Sequence, residues 1–198
     1  MQKRNGALVN LLLLLLIAAL YFVTSRPDAV TAMAQLTYAP NYRGHAENAV
    51  ALQFPVAWNA AALESILDTL AAKGTKVTFA VSGLWAENNG ALLLRMAADG
   101  HEIATMGEDP FMDGKLSAVQ EDVAASLEEI EAACGVRPAL YYSGTRNVTV
   151  SGRAAKKLGL THVLCTTDLR CAAGSAEEIM QRGLNDPIEG SIILMQPT

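Results

Sequence analysis

The chain has 198 residues, of which 51% are apolar and 18% are charged, and its formal net charge is −5. This composition fits a globular domain with a sizeable core and argues against intrinsic disorder. The acidic balance, with no basic patch interleaved with aromatic residues, argues against nucleic acid as a partner.

The first 26 residues have the pattern of a membrane signal-anchor. Lys3 and Arg4 precede an apolar run over residues 7–23 that only Asn10 interrupts. A run of about 17 residues is the short limit for a spanning helix, and basic residues before it predict that the N-terminus stays in the cytoplasm. We therefore expect a single-pass protein of a bacterial cell membrane with an extracytoplasmic domain. Small residues around Ala34 leave a second interpretation open, which is secretion after cleavage near that residue.

Residues 27–47 have the composition of a linker, and residues 48–198 alternate between strand and helix patterns. The predicted strands are 48–54, 76–82, 101–105, 138–142, 161–166 and 191–195. The predicted helices between them are 60–73, 87–99, 117–134, 150–158 and 175–184. This order predicts an α/β fold in which right-handed crossovers connect parallel strands. Periodicity alone does not choose between an open doubly wound sheet and a (β/α) barrel.

Two helix starts carry the pattern of a capping box. Ser117 with Gln120, and Ser175 with Glu178, have the spacing at which two side chains cap each other's backbone N–H groups. By contrast, no glycine-rich loop follows the first strand, which argues against a nucleotide phosphate site there.

Five segments, in order and spacing, resemble the polysaccharide deacetylases of the NodB-homology family, also called carbohydrate esterase family 4. They are Val-Ala-Leu-Gln-Phe at 50–54, Val-Thr-Phe-Ala-Val-Ser-Gly at 77–83, Gly-His-Glu-Ile at 100–103, Gly-Val-Arg-Pro at 135–138 and Gly-Ser-Ile-Ile-Leu at 190–194. The resemblance implies a distorted (β/α) barrel. With six strands read from the sequence, we expect that barrel to be incomplete at its C-terminus.

The resemblance also implies a reaction, and this chain departs from the family at the residues that would perform it. Members use an Asp and two His residues to hold a divalent metal, a second Asp as base and a late His as acid, to hydrolyse an acetamide. Here Pro55 and Val56 stand at the two Asp positions, Met106 at the first His and Gln196 at the late His. Tyr142 or a neighbour stands at the position of a loop Arg.

The second His position falls near Glu108 or Asp109. These acids either hold a cation or are solvated loop residues. His101 is either a surviving metal ligand or a partly buried strand residue. The expectation for this site is no metal and no cofactor, because Val and Met supply neither hard oxygen nor imidazole donors.

Four further residues are candidates for a ligand groove. Trp58 could stack on a sugar ring. Tyr141 and Tyr142 follow a strand pattern, so one is expected to face inward and the other outward. Arg146 either replaces the missing loop Arg or is an exposed loop residue.

The resulting interpretation is a catalytically inactive, polysaccharide deacetylase-like protein that binds cell-wall glycan or an envelope protein partner. One alternative is an active metal-dependent de-N-acetylase with an atypical site. Another is a structural or assembly protein without glycan affinity. The family resemblance also suggests a link to sporulation.

Overall fold

The computed structural model describes residues 2–24, 38–58, 60–184 and 189–197. The chain divides into two compact units, Met1–Tyr38 and Ala39–Thr198.

The described part of the first unit is helix α1, Gln2–Thr24. Its leucines between residues 11 and 16 are exposed. Within the part of the chain that the structure describes, no helix is both long enough and apolar enough to cross a membrane. The structure therefore gives no support to the membrane helix expected over residues 7–23, and the cleavage position near Ala34 lies outside the described residues.

The second unit alternates between strands and helices. Its strands are β1 Ala51–Val56, β2 Thr78–Val81, β3 Glu102–Thr105, β4 Leu140–Tyr142, β5 Thr161–Val163, β6 Thr167–Asp168 and β7 Ile192–Leu194. Its helices are α2 Leu63–Lys73, α3 Gly83–Asn88, α4 Gly90–Ala98, α5 Leu116–Cys134, α6 Val148–Lys157 and α7 Ala176–Leu184. The α/β fold class predicted from the alternation is confirmed.

The strands form one parallel sheet in the order β5-β4-β3-β2-β1-β7-β6. The two edge strands, β5 and β6, are consecutive in the chain, and Thr167 follows Val163 by only four positions. Four residues span at most about 14 Å, whereas seven strands in a flat sheet would put its edges about 29 Å apart. The sheet must therefore curl until its edges approach each other, which makes it a half-barrel.

The segment from Asn41 to Gly44, here called the strap, runs from the edge strand β5 to the start of β7. Asn41 N donates to His162 O (2.8 Å) in β5, and Gly44 N donates to Gly190 O (2.6 Å) just before β7. Part of the predicted linker 27–47 thus hydrogen-bonds to the barrel, because an edge strand such as β5 has one side that no neighbouring strand of the sheet covers.

Apolar residues fill both faces of the sheet. Leu63, Leu67 and Leu70 repeat at helical spacing on α2 and are buried, in one cluster with Phe79 of β2. Gly74 ends that helix in the left-handed conformation, with φ 61°. The opposite face of the sheet carries the interior cluster of the half-barrel: Ala80, Ala104, Met106, Tyr142, Val163, Leu164 and Leu194.

Three predicted elements differ in the structure. The strand expected over 161–166 ends at Val163, and the short strand β6 that follows was not predicted, so the described residues form seven strands rather than six. In place of one helix over 87–99 the structure has α3, which begins earlier at Gly83, and α4, and the two meet at Asn89, where the backbone leaves the helical region (φ −132°, ψ 32°). The capping box at Ser117 is wrong, because Lys115 occupies the N-cap position and Ser117 lies inside the helix.

Candidate functional site

A cleft of about 310 Å³ opens where β1 and β7 end. In parallel α/β sheets, ligands bind at the carboxyl ends of the strands, so this cleft lies where the fold places its function. Its lining is predominantly apolar and consists of Pro55, Val56, Ala57, Trp58, Phe111, Gln196 and Pro197.

Two aromatic rings dominate the mouth of the cleft. Trp58 and Phe111 are stacked, with centroids 5.2 Å apart and planes inclined by 15°. Both remain largely in solvent, at 67% and 68% exposure. Because large aromatic side chains are normally buried, a stacked and exposed pair beside a cleft indicates a binding surface. We call this pair the aromatic platform.

The interior of the half-barrel at this end is closed and apolar. Met106, directly after β3, is 8% exposed and packs in the interior cluster with Tyr142 and Leu194. Burial raises the pKa of Tyr142 far above its usual range, so its hydroxyl stays protonated at any physiological pH. Tyr141 lies on the opposite face, buried in the cluster that contains Val123 of α5. The two tyrosines therefore face opposite sides of the sheet, as the strand pattern predicts.

The residues at the family's metal position do not fit a divalent cation. Val56 is 1% exposed and packs in the core cluster between sheet and helices. Pro55, Val56 and Met106 offer no oxygen or imidazole donor, and a thioether is a poor ligand for a hard or borderline cation. Among the described residues, no group of three or more His, Cys, Asp or Glu side chains could hold a metal ion.

Gln196, at the late His position, is committed to a hydrogen-bond network. Its Nε2 donates to both carboxylate oxygens of Asp168, at 3.0 and 3.2 Å, and its Oε1 accepts from Cys171 N at 3.2 Å. An amide has no accessible pKa near neutrality and cannot relay a proton as an imidazole does. At this position the chain has a structural link between β6 and the segment after β7 instead of a general acid.

His101 lies at the other end of the sheet. It precedes Glu102, the first residue of β3, whereas the cleft is at the strands' carboxyl ends. Its Nδ1 accepts from Val77 N (3.3 Å), and its ring meets the Phe79 ring edge-on at 5.2 Å. Burial, followed by the nearby Lys76 ammonium, lowers the pKa of His101. His101 is therefore a buried packing residue away from the cleft, and its candidacy as a groove residue or ligand is corrected.

Glu108 points away from the cleft, into the space between α3 and α5. A Cβ placed on Gly83 would lie 1.7 Å from its Oε2, and that buried oxygen has no hydrogen-bond partner among the residues that the structure describes. Burial, and then the charges of Glu129, Asp122 and Glu87, raise the pKa of Glu108. The groove role expected for Glu108 is therefore also corrected, because the carboxylate packs against a helix instead.

Asp109 shapes the loop that it belongs to. Its Oδ1 accepts from Phe111 N (2.9 Å), and its own N–H donates to Asp122 Oδ1 (2.8 Å). This is the local turn chemistry typical of Asp. Asp109 thus acts on the cleft indirectly, through the backbone that carries Phe111.

Arg146 is buried, with 3% of its side chain exposed, and the alternative of an exposed loop residue is wrong. Its guanidinium donates to the backbone oxygens of Met106, Asp109 and Met112 and lies 3.5 Å from Asp122 Oδ2. It does not line the cleft. Because its partners are carbonyls of residues 106–112, it holds the loop beside the cleft.

Sequence reasoning missed Phe111 and Asp122. Phe111 stands in a Pro-Phe-Met-Asp-Gly turn, and a large aromatic in such a turn is a signal that could have been read. Asp122 sits within an amphipathic helix pattern, where an acid is usually solvated, so its burial had no signal in the sequence.

A second apolar groove, of about 580 Å³, lies on the helix side of the sheet. Residues of α2 and α7, including Ile66, Ile179 and Met180, form its walls, and it shares Gln196 and Pro197 with the cleft. The aromatic residue in its lining, Phe54, is buried, so the cleft with the exposed aromatic platform is the better candidate site.

The chain matches known proteins over most of its length. The family model described as polysaccharide deacetylase matches residues 43–163. The uncharacterized protein YlxY of Bacillus subtilis (strain 168) is 32% identical over 166 residues, which are 80% of this chain and 51% of that protein. The chain therefore spans about half the length of the curated relative that it matches.

Solved structures share the fold. Wild-type BA3943 of Bacillus anthracis, described as a CE4 family pseudoenzyme, has a TM-score of 0.75 at 24% identity, covering 83% of this chain and 60% of its own. A BA3943 mutant, described as having restored enzymatic activity, has a TM-score of 0.76 at 24% identity, with coverages of 83% and 62%. The Bc1960 peptidoglycan N-acetylglucosamine deacetylase has 0.73 at 21%, with coverages of 83% and 79%. The fold is that of these proteins, and the sequence match shows that the chain belongs to the polysaccharide deacetylase family.

Proposed function

We propose that this domain is a catalytically inactive polysaccharide deacetylase-like protein that binds cell-wall glycan at the aromatic platform. The observation that carries the proposal is the stacked, two-thirds exposed pair of Trp58 and Phe111 at the mouth of the cleft. Relatives with this fold include a peptidoglycan N-acetylglucosamine deacetylase, which suggests an N-acetylated glycan as the ligand class.

The geometry suits a sugar ring. The C–H face of a pyranose is apolar and flat, so it packs against an aromatic face while its hydroxyl groups remain in water. The cleft beside the platform has few polar groups, and among them are the amide of Gln196 and the indole N–H of Trp58. Such a surface supports recognition of the ring face and supplies no group that attacks an amide.

The absence of catalysis in this proposal is supported by the positions already described. Hydrolysis of an acetamide needs a polarised carbonyl, an activated water and a proton donor. Pro55, Val56 and Met106 stand at the positions of the groups that would supply the first two, and Gln196, hydrogen-bonded to Asp168 and Cys171, stands at the position of the third.

Binding can be tested by titrating the domain with a tetramer of β-1,4-linked N-acetylglucosamine in a calorimeter. Trp58→Ala and Phe111→Ala should each weaken binding roughly threefold to tenfold, since an aromatic contact contributes about 0.5–1.5 kcal/mol. Tyr42→Ala is the matched control, because Tyr42 is also exposed, at 50%, and does not line the cleft. Equal affinity for the two platform variants and the wild type would refute the proposal.

The extracytoplasmic location is part of the same proposal and rests on the sequence alone. Lys3 and Arg4 before the apolar run of residues 7–23 predict an exported C-terminal domain. An alkaline phosphatase fused after Thr198 should be active in cells, since this reporter folds only outside the cytoplasm. Activity confined to a cytoplasmic reporter at the same position would contradict the location.

A further inference from the structure

The aromatic platform depends on a loop that has no regular structure of its own. Residues 106–115, here called the cleft loop, connect β3 to α5 and carry Phe111. Phe111 contributes little buried surface, because 68% of it is exposed. Packing of its own side chain therefore cannot be what holds the loop in the stacking position, and the loop's backbone must be fixed by other groups.

One guanidinium binds three carbonyls of this loop. Arg146 Nε donates to Met112 O at 2.7 Å, Nη1 donates to Met106 O, and Nη2 donates to Asp109 O. Two of those carbonyls flank Phe111 in sequence, so the same rigid fork fixes the backbone on both sides of the ring. The planar, five-donor geometry that this requires is available to Arg and not to Lys.

Asp122 of α5 completes the arrangement. Its Oδ1 accepts from Asp109 N (2.8 Å), its backbone O accepts from Glu108 N (3.1 Å), and its Oδ2 lies 3.5 Å from Arg146 Nη2. Both charged side chains are 3% exposed. Gly107 is required between them, since a Cβ there would lie 2.2 Å from Asp122 Oδ2.

A buried ion pair is often no better for stability than well-packed apolar residues of similar volume. The hydrogen bonds of Arg146 and Asp122 go chiefly to backbone groups of the cleft loop. The pair is therefore built to fix one loop conformation, and that conformation is the one in which Phe111 stacks on Trp58.

We propose that Arg146 and Asp122 are the positioning residues of the glycan site: they hold the cleft loop so that Phe111 completes the aromatic platform. The inference rests on the proposed glycan function for its ligand, but the geometry that it asserts can be measured without one.

In the test, the protein is labelled with 5-fluorotryptophan and its two ¹⁹F resonances are followed. The Trp58→Phe variant identifies which resonance belongs to Trp58 and which to Trp85. Trp58 senses the ring of Phe111, whereas Trp85 is 2% exposed in the core and reports on overall folding. Arg146→Lys should move the Trp58 resonance toward its position in Phe111→Ala and leave the Trp85 resonance in place. Asp122→Asn, which keeps an acceptor for Asp109 N, should shift it in the same direction. Arg153→Lys is the matched control, on the exposed surface of α6.

The same variants are titrated with the N-acetylglucosamine tetramer. Arg146→Lys should weaken binding roughly threefold or more in the wild-type background and have no further effect in the Phe111→Ala background, since the two act through one contact. The proposal would be overturned if the Trp58 resonance stayed unchanged in folded Arg146→Lys and Asp122→Asn. It would also be overturned if the effects of Arg146→Lys and Phe111→Ala on affinity were additive, or if both Arg146→Lys and Asp122→Asn lost the native Trp85 resonance. If the wild type binds no tetramer, the glycan function fails while the resonance shifts still decide the positioning role.

Discussion

Restoring one of the family's catalytic side chains should not restore the reaction. Val56→Asp returns a carboxylate to the position of a metal ligand, but Met106 is still unable to bind the metal and Gln196 is still unable to donate a proton. Catalytic groups of this kind act as a unit, so one of them alone gives almost none of the rate. The expected result is a folded but less stable protein that releases no acetate.

The size of the destabilisation follows from where Val56 lies. The side chain is 1% exposed and packs in the core cluster with Phe54 and Val81. Replacing it removes about 1.5 kcal/mol of apolar burial, and burying a carboxyl group without a hydrogen-bond partner costs roughly a further 1–3 kcal/mol. We therefore expect the free energy of unfolding to fall by about 2.5–4.5 kcal/mol.

Val50→Asp is the matched control, because Val50 is 40% exposed just before the amino end of β1. A surface substitution of this kind changes stability by about 0.5 kcal/mol or less. Both variants would be unfolded in urea and assayed for acetate release from the N-acetylglucosamine tetramer with and without Zn²⁺ or Co²⁺. Metal-dependent acetate release by Val56→Asp alone would show that a ligand set survives elsewhere, and the proposal of an inactive protein would have to be withdrawn.

Three further substitutions test the site's surroundings. In urea unfolding, Gly107→Ala should destabilise the protein by at least 2 kcal/mol more than Gly135→Ala, which is roughly the cost of a displaced buried ion pair. Both glycines have a positive φ, but only at Gly107 would a Cβ meet a carboxylate, at 2.2 Å. Equal losses in the two variants would contradict the contact. Glu108→Gln should raise stability near neutral pH, and the gain should shrink as the pH falls toward about 4.5, because burial raises the pKa of Glu108 and the fold favours its protonated form. Glu121→Gln, at an exposed position, is the control. A gain in stability that grows in acid would refute the reasoning. Gln196→Glu should lower stability at neutral pH, because it sets a second carboxylate beside that of Asp168, which Gln196 binds at 3.0 Å. The lost stability should return in acid, where the carboxylates are protonated. A pH-independent effect would show that the Gln196–Asp168 link is unimportant.

The local patterns of the sequence predicted local structure well wherever local chemistry decides it. Ser175 N donates to Glu178 Oε2 (2.8 Å) and Glu178 N donates to Ser175 Oγ (3.3 Å), which is the reciprocal bonding that their spacing predicts. The same spacing at Ser117 gave a wrong helix start. There the helix begins one residue earlier, and Leu116 packs against the cluster that contains Val123 and Tyr141, so tertiary contacts moved the boundary.

The curl of the sheet and the loop anchor could not be predicted from the sequence. The pairing of β1 with β7 joins residues about 140 positions apart, and no periodicity encodes it. The burial of Arg146 is of the same kind, because its ionic partner Asp122 lies 24 residues upstream on a helix whose pattern is otherwise ordinary. Sequence reasoning could name Arg146 as a candidate, but its role depends on contacts that only the folded chain brings together.

Apolar and amide side chains occupy the family's catalytic positions in this chain. An enzyme of this family holds carboxylates and imidazoles at the strand ends, where their burial is unfavourable unless a metal or hydrogen bonds compensate. Here Val56 and Met106 extend the apolar core to those ends, and Gln196 ties β6 to the segment after β7. The Arg146–Asp122 pair is buried beneath the cleft loop, where well-packed apolar residues of similar volume would often be no worse for stability. The burial of this pair under a loop with an exposed aromatic ring supports the proposal that the domain presents this ring to a ligand.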